Sequence, residues 1–171
     1  GSKVHNPEVK KLFREFLESY QGTLIWHNAN YDCKLCIYEL WMENPLDQAG
    51  LLKGLEVMTA RLDDTQIISY LATNSTAGNK LGLKHQAHEF AGNYAEDDIK
   101  DIRMIPLPKL LTYNLVDCLS TWFVYKKNYP TMLADSQLGI YNEIMIPSVK
   151  LLLHVELTGM PMNMEKVKYA K

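Results

Sequence analysis

Two short stretches of this chain hold residue types that could work together on a phosphate. Asn28-Ala29-Asn30-Tyr31-Asp32 ends in a carboxylate, and Tyr113-Asn114-Leu115-Val116-Asp117 sets a phenol four residues before a second one. Carboxylate oxygens are the natural ligands of a hard divalent cation. On a helix, positions i and i+4 share a face one turn apart, so Tyr113 and Asp117 can converge on one reacting centre. The carboxylate would hold a cation there, and the phenol would orient an attacking water. Each stretch also has a plain structural reading. Asp32 can cap the helix that follows it, and Tyr113 can be a buried phenol bonded to Asp117.

The surrounding pattern predicts the elements that must carry these residues. Asn6-Pro7-Glu8 starts a helix, with apolar residues at Val9, Leu12, Phe13, Phe16, Leu17 and Tyr20 at one-face spacing and Gly22 ending it. Thr23–His27 is a β-branched and aromatic run that predicts a buried strand. It feeds Asn28–Asp32, the place where ligand groups collect in α/β folds. A helix is expected from Cys33 to about Met42, broken by Asn44-Pro45. Asp47–Lys53 reads as loop or irregular helix, and Val57–Leu62 as a second strand ending at Asp63-Asp64-Thr65. A helix over Gln66–Leu71 and a polar loop over Asn74–Asn79 follow. Leu83–Phe90 is expected to be a short helix stopped by Gly92, and Glu96–Asp101 a solvated acidic piece. The longest helix is expected over Lys109–Tyr129, stopped by Pro130. Another runs from Ile140 to Leu157, with Pro147 kinking it or starting its second part. Gly159 and Pro161 end it, and Asn163 caps a further helix.

Composition bounds the function. The chain has 171 residues, about one domain or one and a piece, with 47% hydrophobic and 22% charged residues. A formal net charge of −2 excludes a basic coat that binds nucleic acid through bulk charge. It leaves room for a local site that grips a phosphate through metal ions. No apolar run reaches membrane-spanning length, so no membrane partner is expected. Three cysteines without paired spacing predict free thiols in a reducing compartment. Cys33 and Cys36 read as core residues one helical turn apart, His85 and His88 as a solvated helix face, and Trp26, Trp41 and Trp122 as core anchors.

Taken in order, the motifs resemble a known family. The strand-end Asn-x-x-Tyr-Asp of Asn28–Asp32 comes first, then Asp64-Thr65, then Asn79-Lys80-Leu81-Gly82-Leu83-Lys84 opening a helix, then the helical Tyr113-x-x-x-Asp117. This series resembles the 3′–5′ exonuclease domain of family A DNA polymerases, the polymerase I type. That domain is the tyrosine variant of the DEDD exonuclease superfamily. Ile146-Pro147 and Glu156-Leu157-Thr158-Gly159-Met160-Pro161-Met162-Asn163 are similar to the opening helices of the polymerase module. The resemblance spans about Thr23 to Lys171.

The resemblance implies an α/β, ribonuclease H-like fold that lacks its first strands. A partial exonuclease domain would occupy residues 3–136, and the start of a helical polymerase module residues 137–171. It implies that Asp32 and Asp117 are catalytic carboxylates and metal ligands, and that Tyr113 orients the water. Asn28 and Tyr31 would lie beside the terminal nucleotide, while Asp64 would be structural. The implied cofactor is Mg²⁺, two ions in an intact parent, with Mn²⁺ a possible substitute. The implied partners are a single-stranded DNA 3′ end and a polymerase module in the same parent chain. The implied setting is the cytoplasm of a bacterial or phage-infected cell, at the nucleoid. The family's first motif, Asp-x-Glu on a strand, does not precede Thr23 here; the acids there are Glu8, Glu15 and Glu18. The expectation is an N-terminally truncated domain that keeps two of four carboxylates and has little activity. The alternatives are an RNA-trimming exonuclease of the same superfamily, a vestigial DNA-binding or spacer domain, and an unrelated α/β binding module in which Asp32 and Asp117 would lie far apart.

Overall fold

Asn6 opens the first helix as expected. Its side-chain oxygen accepts from the Glu8 and Val9 amides at 3.1 and 3.2 Å, and helix α1 covers Pro7–Ser19. The structure, a computed structural model, describes residues 6–73, 78, 80–92, 105–163, 166 and 169. Most of the polar loop expected over Asn74–Asn79, and all of Glu96–Asp101, lie outside the described residues. The chain is α/β and mostly helical, with a small sheet of two parallel strands. Its residues form two compact units: Gly1–Tyr20, Cys33–Ala60 and Lys150–Lys171 in the first, Gln21–Asp32 and Arg61–Val149 in the second. No helix among the described residues is long and apolar enough to cross a membrane.

In the first unit, α1 buries Leu17 and pairs Lys10 with Glu39 of helix α2 (Ala29–Leu40) at 2.6 Å. Glu18 accepts from the Trp41 indole and from Arg14, each at 3.0 Å. Those bonds hold its carboxyl below the usual range. Helix α3 (Gln48–Thr59) replaces the irregular stretch expected from Asp47 and the first half of the strand expected over Val57–Leu62. The reason is visible in its burial. Leu51, Gly54, Leu55 and Met58 face inward at helical, not alternating, spacing. Asp47 caps it, accepting from the Gly50 amide at 2.9 Å and the Glu43 amide at 3.0 Å. Gly50 and Gly54 let this helix approach closely. A Cβ on Gly50 would stand 2.3 Å from the Trp41 carbonyl oxygen, and one on Gly54 2.9 Å from Ile37.

In the second unit, strand β1 (Leu24–Trp26) pairs in parallel with β2 (Leu62–Asp64), with Leu24 opposite Leu62 and Trp26 opposite Asp64. Helix α4 (Thr65–Thr73) starts directly from β2. The helix expected over Leu83–Phe90 is broken into α5 (Leu83–Gln86) and α6 (His88–Ala91) at Ala87. Ala87 is fully buried and leaves helical geometry at φ −97°, ψ 7°. Helix α7 (Leu107–Ala134) starts beside Pro106 and Pro108 but runs through Pro130 instead of stopping there. An interior proline costs a helix about 3 kcal/mol. Packing beyond it outweighs that, because Met132 is fully buried with Ile68 and Tyr141 in the unit's core.

Tyr141 belongs to a π-helical turn, Tyr141–Met145, between the short α8 (Leu138–Ile140) and α9 (Ile146–Thr158). Pro147 is the second residue of α9, directly after the π-helical turn. Gly159, at φ 71°, follows the last helical residue as expected. The Tyr141 hydroxyl donates to Asp63 at 2.9 Å and accepts from the Asp64 amide at 3.0 Å. Asp63 also accepts from Tyr125, yet burial still pushes its carboxyl above the usual range.

Gly50→Ala should overpack the turn that holds Trp41 against α3. Overpacking of this kind costs about 1–3 kcal/mol. A lowered urea midpoint with unchanged slope is the expected result.

Candidate functional site

The site begins where the two parallel strands end side by side. Asn28 follows β1 in a left-handed conformation, φ 63°. Asparagine tolerates that region better than most residues. The turn directs the Asn28 and Ala29 amides at the Asp64 carboxylate, which accepts them at 3.1 and 2.8 Å. Asp64 also accepts from the Gln66 amide at 2.8 Å. One buried carboxylate thus satisfies amides at the starts of both α2 and α4, where helices leave them unpaired. Helix α2 begins at Ala29, earlier than the Cys33 expected from sequence, so Asp32 lies within its first turn. The capping role read for Asp32 belongs to Asp64.

A second tie crosses the strand ends. The Thr65 hydroxyl donates to the Trp26 carbonyl at 2.9 Å. Its oxygen also lies 2.8 Å from His27 Nδ1, within hydrogen-bond distance. Nε2 is buried and makes no hydrogen bond among the described residues, as is also true of the Trp26 indole N–H.

A cleft of about 1090 Å³ opens beside these strand ends. Asp32 and His27 line it from one side, and Asn114, Asp117, Thr121 and Trp122 from α7. Lys80, Lys84 and His85 add cationic and imidazole groups from the segment around α5. The cleft thus presents carboxylates, ammonium groups and two indoles to one space. Burial raises the Asp32 carboxyl above its usual range, with the Asp64 charge adding to the effect. Burial lowers the His27 imidazole, against the opposing pull of Asp64, the Leu81 backbone and Asp117. Among the described residues, no group of three or more His, Cys, Asp or Glu side chains is placed to hold a metal ion.

The structure brings some of the sequence-predicted residues together. Asp32 and Asp117 are half-buried and line one cleft. Tyr113 is half-buried on α7 one turn before Asp117 but, unlike Asp117, does not line the cleft; the Lys84 ammonium stands 5.1 Å from its ring centre. Asn28 is exposed, and its backbone has a structural task of its own. Tyr31 is 64% exposed and does not line the cleft. Trp122 is corrected from core anchor to cleft wall, at 51% exposure, with its ring stacked on Tyr125 at 5.7 Å. Trp41 and Cys33 are buried as expected.

Sequence reasoning missed His27 and Lys84. A signal for His27 existed in the Asp64-Thr65 pair: two parallel strand ends lie adjacent, so a hydroxyl on one faces the last side chain of the other. Lys84 carried no such signal, because its neighbour on α7 is set only by tertiary packing. No protein-family model, curated protein or solved structure matches this chain.

Asp64→Asn should lower stability by about 1.5–3 kcal/mol, the range for a hydrogen bond to a charged group. Faster hydrogen exchange at Asn28, Ala29 and Gln66 than at other helix starts is the expected signature. The depressed His27 makes a second expectation. Below the ordinary imidazole value of 6.5 the unfolded chain takes up this proton before the folded one does. Stability should therefore fall as pH drops below that value, until folded His27 itself titrates. At lower pH the raised Asp32 and Asp63 act oppositely, since the folded state protonates first there. Denaturant titrations of His27→Gln should show a flatter profile just below neutrality than the native chain.

Proposed function

We propose that these residues are part of a 3′–5′ exonuclease of the family A DNA polymerase type, in a ribonuclease H-like fold, with residues from about 137 opening a polymerase module. The parent would remove mismatched nucleotides from DNA 3′ ends by phosphodiester hydrolysis. One observation carries the reading: Asp32 and Asp117, distant in the chain, line a single cleft at the end of a parallel strand pair.

Asp32 would hold one divalent cation and Asp117 the cation that binds the attacking water. Bound Mg²⁺ would make that water a nucleophile and stabilise the leaving oxygen. Tyr113, one turn from Asp117, would orient the water. Asn28 and Tyr31 would border the terminal nucleotide. The exposed Tyr31 ring suits an unstacked base that arrives from solvent.

The donor set fits a weakly held Mg²⁺. This ion keeps several waters and takes one or two carboxylates plus substrate phosphate. Asp32 and Asp117 offer that much, while Asp64 is engaged by backbone amides. The raised Asp32 carboxyl is one that a nearby cation would return to its charged form. Without the Asp-x-Glu pair, hydrolysis by these residues should be close to background.

Mn²⁺ titration followed by carboxyl carbon NMR tests this directly. The Asp32 and Asp117 signals, assigned with Asp32→Asn and Asp117→Asn, should broaden in parallel and recover with excess Mg²⁺. Each single variant should weaken the ion, since it removes one of the two carboxylate ligands. With labelled single-stranded DNA and Mg²⁺, digestion should not exceed that of Asp117→Asn. Two signals that broaden independently, or no broadening at all, would overturn the shared cation site.

A further inference from the structure

We propose that Lys84 is a positioning residue for Tyr113: its ammonium, seated on the face of the phenol ring, restrains the swing of the ring and with it the position of the hydroxyl. The observation is geometric. Lys84 Nζ stands 5.1 Å from the Tyr113 ring centre, within the reach of a cation–π contact. The two residues come from different elements, α5 and α7, which pack together in the second unit. Lys84 also lines the cleft that holds Asp117.

A tyrosine side chain has two soft torsions, and the swing about χ1 carries the hydroxyl with the ring. A cation held against one ring face restrains that swing without touching the oxygen. Tyr113 is only half-buried, so packing alone does not surround its ring. A cation on an exposed ring biases such a conformer by roughly two- to five-fold. Lysine and arginine both meet the requirement; a neutral chain of equal length does not. The same helix offers a comparison. Lys126 lies 5.7 Å from the Trp122 ring centre, a similar contact elsewhere on α7.

The consequence for water orientation rests on the exonuclease reading, but the contact and its effect on the ring do not. The test uses the whole chain labelled with 3-fluorotyrosine, and fluorine NMR. The chain has 10 tyrosines, and loss of a signal in Tyr113→Phe assigns the one needed. Lys84→Met should shift and broaden the Tyr113 signal, as should Lys84→Gln. Lys84→Arg should keep it near its native position, and Lys126→Met should leave it unchanged. Unchanged Tyr113 signals in both neutral variants would overturn the proposal. So would an equal change in Lys84→Arg or in Lys126→Met. Unaltered signals from the buried Tyr141 report that the neutral variants remain folded. If Lys84→Met disturbs Tyr141, the same criteria apply to Lys84→Gln, whose side chain is shorter and polar. A failed Mn²⁺ titration beside a positive Lys84 result would sink the exonuclease reading alone, and the reverse result would sink this one alone.

Discussion

The Asp64 carboxylate accepts from amides of Asn28, Ala29 and Gln66 at 2.8–3.1 Å, and the candidate site depends on that set of bonds. Its own amide donates to the Tyr141 hydroxyl, so a single residue links the starts of two helices, a strand and a π-helical turn. A buried carboxylate is unfavourable unless its oxygens are hydrogen-bonded. Backbone amides at helix starts supply both the donors and a favourable dipole. Because the amides cannot move without their helices, the bonds fix where the first turn of α2 begins. Asp32 lies in that turn.

The same geometry shapes the charge in the cleft. Asp64 is near enough to raise the Asp32 carboxyl and to oppose the burial of His27. Its charge is already occupied by backbone donors, while Asp32 and Asp117 face the open volume. The Thr65 hydroxyl makes a parallel arrangement on the neighbouring position. It donates to the β1 backbone and holds the His27 ring through Nδ1. Two adjacent residues, one acid and one hydroxyl, thus organise what each strand end presents.

Helix α7 shows how one element can serve packing and a site at once. Ser120, Val124, Asn128 and Met132 turn inward at intervals of one turn. Asn128 donates to Ser69 at 2.8 Å, and Ser69 to the Thr65 carbonyl at 2.7 Å, which ties α7 to α4. The same helix presents Asn114, Asp117 and Thr121 to the cleft. The rotation of the helix about its axis is set by its buried residues, and the cleft-facing residues follow from it.

Local chemistry was legible in the residues themselves. Asn6-Pro7 opened α1, the β-branched run Thr23–His27 held the three-residue β1, half-buried rather than buried, and the Tyr113–Asp117 spacing placed phenol and carboxylate one turn apart on a helix. These depend on interactions within a few residues, so a linear pattern carries them. What failed in the linear reading depended on distant partners. Val57–Leu62 has strand-like composition, but Leu55 and Met58 are buried at helical spacing, and α3 prevails. Pro130 is a local helix breaker, but Met132 packs against Ile68 and Tyr141, and α7 continues. The start of α2 moved to Ala29 because its cap comes from Asp64, on another strand. The sequence by itself determined which side chains are available and which lie one turn or one strand step apart. Only the tertiary structure decided that Asp32 and Asp117 share a cleft and that Lys84 meets Tyr113, because those approaches are set by burial and hydrogen bonds between segments far apart along the chain.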